Sequence, residues 1–538
     1  MEAWDVVVLG DGPAALRAAA EAARGGASTL MMSTTALGQP GLSALDGLSA
    51  SIQENNPRSH REDTIRCGAF LSDQDIVAET TTMAIKQVDL LERRGVNYRR
   101  DLQGLPMVRR AIGHAQPRTT DAGSSTSLQV QQVGEEQAMR HGVVRRGDQI
   151  PLTLVHSDQS VDGLVVLDMV NGRVIGLQCK ALIVADEGFE GAFGDGTVGL
   201  GMDIAFRAGM VLRDMEFMTH HPLMIEGTNV MLPTGLLLDG AVLHEATGAE
   251  LELGATPLEM VRAVQQAVQP VLDARNLGDA APWWASTFRL VKQRTGIDMA
   301  RQTVPISHTV GHTIGGLPVD KNGRCVTGSW ARWFTGLYAA GDASCSGLHG
   351  TAALPGNRLL DALCTGTAAG THAAEWTASQ TFATTENLSE AVDDAKRDLS
   401  AMLDDTDATH VVRCGTLTSS LQAALASTMS LSQTSLQNLM VKLEGLEHQA
   451  ESLHVDQTSL FANTNLLEVF RTQAAIRMVM ASVRSGLARE ESRGSFVRED
   501  YPDANDDFLH HITVDQKGTI GTLALKKGTG GHWLLTPQ

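Results

Sequence analysis

Residues Asp5–Leu9 read DVVVL, a continuous β-branched run suited to a parallel strand buried on both faces. A glycine-bounded turn follows at Gly10–Gly12, and an alanine-rich stretch to about Gly25 predicts a helix. Ser28–Ser33 (STLMMS) predicts a second strand. Much later, Gly336–Asp342 (GLYAAGD) is a short apolar strand ending in Ala-Ala-Gly before a carboxylate. Leu417, Leu421 and Leu425 recur at the i, i+4 spacing of a helix face. No apolar run approaches the roughly 20 residues needed to span a bilayer.

Composition narrows this picture. With 538 residues, 43% hydrophobic and 20% charged, the chain is long enough for several globular domains. Fifty-three glycines against 4% aromatics suit tight turns and close backbone approach to a ligand. A formal charge of −19 argues against a nucleic-acid surface, which needs clustered Lys and Arg. The six cysteines are scattered without a Cys-x-x-Cys pair, so neither a metal site, an iron–sulfur cluster held by this chain alone, nor a disulfide framework is expected. Met-Glu-Ala-Trp-Asp enters the first strand directly, with no basic region or cleavage site of a signal peptide.

The turn after the first strand is Gly10-Asp11-Gly12-Pro13-Ala14-Ala15, a G-x-G-x-x-A sequence between strand and helix. Gly10 permits the turn, Gly12 lets backbone approach a pyrophosphate, and Ala15 lets the helix lie close to the strand. The helix N-terminus then offers its partial positive charge to phosphates. The second strand ends without the acidic residue usual for a ribose contact, which weakens the case for NAD more than for FAD. The GLYAAGD segment favours FAD, because flavoproteins place a carboxylate such as Asp342 beside the ribityl chain; Gly341 provides the turn before it.

Further segments carry a family resemblance. His349-Gly350 through Asn357-Arg358-Leu359-Leu360-Asp361 resembles the HGANRLGGNSLLD signature of succinate dehydrogenase, fumarate reductase and L-aspartate oxidase flavoproteins. Asp214-Met215-Glu216 with His221-Pro222 is similar to that family's DMEMxQFHP stretch, and Gly315-Gly316 after His312 to its HYxMGG run. Ala488–Gly494 and Arg498–Pro502 resemble its C-terminal ARxESRGAHxRxDxP element. The resemblance implies an α/β fold: a Rossmann-like FAD-binding domain (1–200 and 320–380) with an inserted α+β capping domain (201–319). A helical domain (385–495) and a small terminal segment (496–538) follow.

The family's reaction moves a hydride to flavin and a proton from the neighbouring carbon, so its site needs cations for two carboxylates and a proton-transfer group. By resemblance His221 is a substrate-carboxylate ligand, and His312 can fill the second histidine's place after a one-residue shift. Leu258 stands at the proton-shuttle arginine, with Arg262 four positions on: it either reaches back or is an exposed surface arginine. Ala353 replaces a second family arginine. Arg358 replaces a serine near the flavin pyrimidine, where it either supplies a cation to flavin or substrate or is salt-bridged within the scaffold. Asn357, Arg358 and Leu359 join the cofactor set. Thr34 aligns with the histidine that attaches flavin covalently, so FAD is expected to be held non-covalently, with Ser33, Thr34 and Gln39 nearby.

These implications give a flavoprotein subunit of a succinate dehydrogenase/fumarate reductase-like complex, oxidising succinate to fumarate at FAD and passing electrons to an iron–sulfur subunit. It would be cytoplasmic and held at the membrane through anchor subunits. L-aspartate oxidase, another dicarboxylate oxidoreductase, or a catalytically silent FAD-binding subunit are the alternatives.

Overall fold

A computed structural model describes residues 2–37, 47–52, 57–194, 197–328, 332–404, 411–426 and 431–537. Gln39 lies outside the described residues. Five strands run parallel: β1 (Glu2–Leu9), β2 (Thr29–Met32), β3 (Val144–Arg146), β6 (Arg173–Val184) and β12 (Arg332–Ala339). Their order is β12-β6-β1-β2-β3. Two antiparallel strands, β4 (Gln149–Ser157) and β5 (Ser160–Asp168), extend the sheet beside β6, and β11 (Arg324–Thr327) edges β12. Val6, Val7 and Val8 of β1 are fully buried, as a central strand between layers requires.

One of those layers contains two helices in backbone contact, α1 (Pro13–Arg24) and α4 (Asn357–Thr377). A methyl on Gly366 would stand 2.6 Å from the Ala14 carbonyl oxygen, and one on Gly370 would stand 2.2 Å from that of Ala18. The alanine run of α1 is therefore a packing requirement as well as a helix preference. Ala14, Ala15, Ala18, Ala19 and Ala22 are all buried in this layer.

Between β6 and β12 the chain leaves the sheet and builds a second one. Antiparallel strands β7 (Met218–Ile225), β10 (Val304–Thr313), β9 (Pro270–Asp273) and β8 (Val242–Glu245) lie in that order. Its helix α3 (Pro257–Gln266) starts with a capping box, in which Thr256 and Glu259 satisfy each other's backbone N–H groups. This cap is tied to the base by a buried ion cluster. Arg99 and Arg109 reach Asp239 at 2.7 and 2.6 Å, and the Trp284 indole donates to the same carboxylate.

Four helices follow: α5 (Glu386–Asp404), α6 (Cys414–Leu425), α7 (Gln433–Ala450) and α8 (Thr464–Ala488). Leu417, Leu421 and Leu425 are buried on one face of α6, as their spacing predicted. The terminal segment pairs β13 (His510–Val514) with β14 (Ile520–Ala524) and with Leu212–Arg213. The result is α/β: a Rossmann-like domain with an inserted α+β cap, then helices and a small terminal segment. No described helix is long and apolar enough to cross a membrane.

Fully buried charges join these parts. Arg489 donates to Glu216 at 2.7 Å and Glu491 at 2.9 Å, with its guanidinium over the Phe217 ring. His511 sits between Asp214 at 2.7 Å and Asp73 at 3.2 Å. Burial alone would lower its pKa, but the two carboxylates raise it.

A Gly370→Ala substitution is expected to lose about 1–3 kcal/mol in chemical denaturation, because the added methyl overpacks α1 against α4. Gly415→Ala adds a methyl with nothing within 4 Å and should be neutral or slightly stabilising. Equal losses would remove the helix crossing as the cause.

Candidate active site

Four backbone features converge on one cleft. At the end of β1, a side chain on Gly10 would meet the Ala185 carbonyl oxygen at 2.2 Å, so only glycine allows β1 and β6 to run on into the turn. Gly12 has nothing within 4 Å of where a Cβ would stand, leaving its backbone open to a ligand. The α1 N-terminus has no side-chain cap and carries Pro13 at its first position. The α4 N-terminus is also uncapped, behind Gly356 at φ +81°. Helix N-termini that no side chain satisfies suit an anionic ligand. Gly341, at φ +62°, packs against Ala14 and aims Asp342 to the same side.

Ser33 and Thr34, beside β2, have partners within the protein. Ser33 shares a 3.2 Å hydrogen bond with Thr35, and Thr34 accepts one of the same length from Arg471 of α8. Both line a small cavity with Gly10, Asp186 and Glu187. The carboxylate missing from the end of β2 is thus present at the end of β6, where it can accept from ribose hydroxyls. Asp186 also caps the helix Leu200–Arg207 through the Gly201 N–H at 2.7 Å. Burial, with Glu187 nearby, pushes Asp186 up to about 7. Burial and Glu187 push Asp11 up to about 6. Asn357 is fully buried, its amide held by His60 and Thr64 at 2.7 and 3.0 Å, so its side chain braces α4.

Under the cap lies a cavity of about 80 Å³, with Gly356 and Arg358 in its wall. His221 lines it and donates from Nε2 to the Leu232 carbonyl at 2.8 Å if protonated there. It packs on Gly311, where a Cβ would come within 2.7 Å of the His221 Cβ. His312 lines the cavity with both ring nitrogens buried and, among the described residues, without hydrogen-bond partners, 3.5 Å from Asp342. Burial pushes it down to about 3, so its ring is neutral. Leu359 also lines the cavity, and its neighbour Arg358 brings a cation.

That cation is heavily engaged. Arg358 donates to Asp342 from Nε and Nη2 at 3.1 and 2.5 Å, to Glu190 at 3.0 Å and to the Gly311 carbonyl at 2.9 Å. Burial works against ionised Asp342, yet Arg358 holds its pKa below the ordinary value. Glu190 is pushed up to about 7 by burial, against the pull of Arg358 and with a smaller push from Asp342. Arg262, by contrast, is exposed on α3 and outside the cavity, which Pro257 and Met260 line from that helix. Glu190 and Thr219 were missed in the sequence. Thr219 accepts the Ala353 N–H at 2.9 Å, leaving its hydroxyl proton for the cavity.

This frame agrees with comparisons to known proteins. The FAD binding domain family matches residues 5–359, and the fumarate reductase flavoprotein C-terminal family matches 419–528. The chain belongs to the succinate dehydrogenase/fumarate reductase flavoprotein family. A fumarate reductase flavoprotein subunit of Mycobacterium tuberculosis is 28% identical over 96% of each chain. A succinate dehydrogenase flavoprotein subunit of Rickettsia felis is 25% identical over 96% of this chain and 94% of its own. Quinol fumarate reductase of Escherichia coli shares the fold at a TM-score of 0.89 and 23% identity, covering 100% of this chain and 99% of that one. The open Gly12 backbone, two uncapped helix N-termini and Asp342 fit FAD of this flavoprotein family, which supplies a two-electron acceptor when bound.

The Glu190 shift has a testable sign. Its folded pKa, about 7, lies above the ordinary 4.5, so its contribution to stability is present at low pH and is lost as pH rises through about 7. The melting temperature of wild type relative to Glu190→Gln should therefore fall across that interval and then level off. A flat difference would show that Glu190 is ionised throughout.

Proposed function

We propose that this flavoprotein is the FAD-bearing subunit of an oxidoreductase acting at a CH–CH bond beside a carboxylate, the class that includes succinate oxidation. The observation carrying this reading is that Gly356 and Arg358, at the N-terminal end of α4, line the same cavity under the cap as His221 and His312. The relatives are named as subunits, which supports transfer of electrons to a separate iron–sulfur partner and attachment to the membrane through further subunits. FAD is held non-covalently in this reading, because Thr34 stands where the resemblance expects the attachment histidine. Within the site, Asp342 positions the ribityl chain and His312 provides a neutral proton-bearing group. The cap excludes water from the reacting bond.

A second reading, a silent FAD-binding subunit, is favoured by one observation: the Arg358 guanidinium is engaged by Asp342 and Glu190. Anaerobic reduction of the flavin followed by addition of unsaturated acids separates the two. Reoxidation supports the enzyme; a flavin that stays reduced with every acid supports the silent subunit. Acid precipitation should release the flavin into the supernatant, and flavin remaining with the pellet would contradict non-covalent binding. Asp342→Ala should weaken FAD binding roughly tenfold or more, from losing a charge-assisted hydrogen bond of about 1.5–3 kcal/mol. Unchanged occupancy would remove Asp342 from the cofactor site.

A further inference from the structure

Resting on the oxidoreductase reading, the charge of the cavity restricts its substrate. Among the described residues lining it, Arg358 carries the one formal cation, and none of the residues left undescribed is Lys or Arg. That cation faces two carboxylates of the protein itself, Asp342 and Glu190. Two of the three histidines in its wall do not replace the missing charge: burial, then His308, brings His220 down to about 4, and burial brings His312 down to about 3. Met231, Met260, Ala353 and Leu354 make much of the remaining wall apolar. A substrate with two carboxylates would bring two anions into a buried space with no uncommitted cation, at a cost of several kcal/mol per unpaired ion.

The wall has a second side. His220 lines this cavity and also a separate one of about 60 Å³ between cap, sheet and helices. Phe193, Leu436, Val479, Val483 and Phe496 line that second space. Among the described residues His220 Nδ1 is buried without a hydrogen-bond partner, so none of them pins the ring between the two spaces at that atom. Each methylene of a substrate entering there would gain roughly 0.8 kcal/mol.

We propose that the site takes an acid with a single carboxylate and an apolar chain, the carboxylate lying near Thr219 and His221 and the chain passing His220 into the second cavity. As a reduction, the carbon–carbon π bond would break, with reduced FAD, when bound, supplying the hydride taken up by the carbon β to the carboxylate and solvent supplying the proton taken up by the α carbon. The acid is reduced and the flavin is oxidised.

The test uses the FAD-loaded protein with fumarate, crotonate and trans-2-octenoate. Flavin difference spectra read binding, and reoxidation of the anaerobically reduced flavin reads turnover. The octenoate should bind roughly tenfold or more tighter than fumarate. Val483→Phe, which fills the second cavity, should weaken octenoate binding roughly tenfold while leaving crotonate within about twofold. Val479→Phe provides the same test if the first variant does not fold. Fumarate binding as tight as octenoate overturns the proposal, as does an unchanged octenoate affinity in a folded, filled variant, or no binding by any acid. If octenoate binds as expected but no acid reoxidises the flavin, the substrate class stands and the oxidoreductase reading fails.

Discussion

The contact between α1 and α4 sets the distance on which the site depends. Because Gly366 and Gly370 meet the carbonyls of Ala14 and Ala18 directly, the helices pack backbone to backbone. Their uncapped N-termini are thereby held on one cleft. The Gly341 turn closes against Ala14 as well, which ties Asp342 to the same helix. A bulkier residue at either crossing point would push the two helix N-termini and the Asp342 turn apart. The cofactor half of the site is thus a consequence of packing, with little help from flexible side chains.

The substrate half follows from charge. Arg358 is buried on the same helix, and a guanidinium there needs partners. It finds them in Asp342, on the turn after β12, and Glu190, beyond β6. This cluster braces α4 against both strands but consumes the charge that would otherwise meet substrate. Similar economy governs the remote parts of the fold: Arg489 with Glu216 and Glu491, and His511 with Asp73 and Asp214, pair buried charges from distant segments. Removing one member of such a pair strands the other, so these contacts hold cap, helices and terminus in one arrangement.

The parts of this scheme that were legible in the sequence are those with local causes. Gly10 marked the turn because only glycine suits its approach to Ala185, and the Leu417–Leu425 face showed its period without any partner in view. Asp342 could be placed because a short apolar strand leads into it. The acid opposing Arg358 left no such mark, since Glu190 lies 168 positions away in the chain. Helix periodicity left Arg262 either reaching back toward Leu258 or exposed, and α3 turns Met260, Val261 and Val264 inward, so Arg262 faces solvent. A helix face can be read from spacing; its direction is set by the sheet beneath it.

Cap closure makes the charge balance decisive. Asp239 pairs with two buried arginines of the base, and the Trp284 indole joins it, so the cap is held against the base. In a buried space an unpaired carboxylate gains little from distant countercharges and loses its hydration. A site open to solvent could lose its arginines and still admit a dianion. A closed site that has Leu258 and Ala353 where cations are expected, and that pairs Arg358 with its own carboxylates, cannot do so cheaply. The buried ions that shape the scaffold therefore also limit the charge of what it can hold.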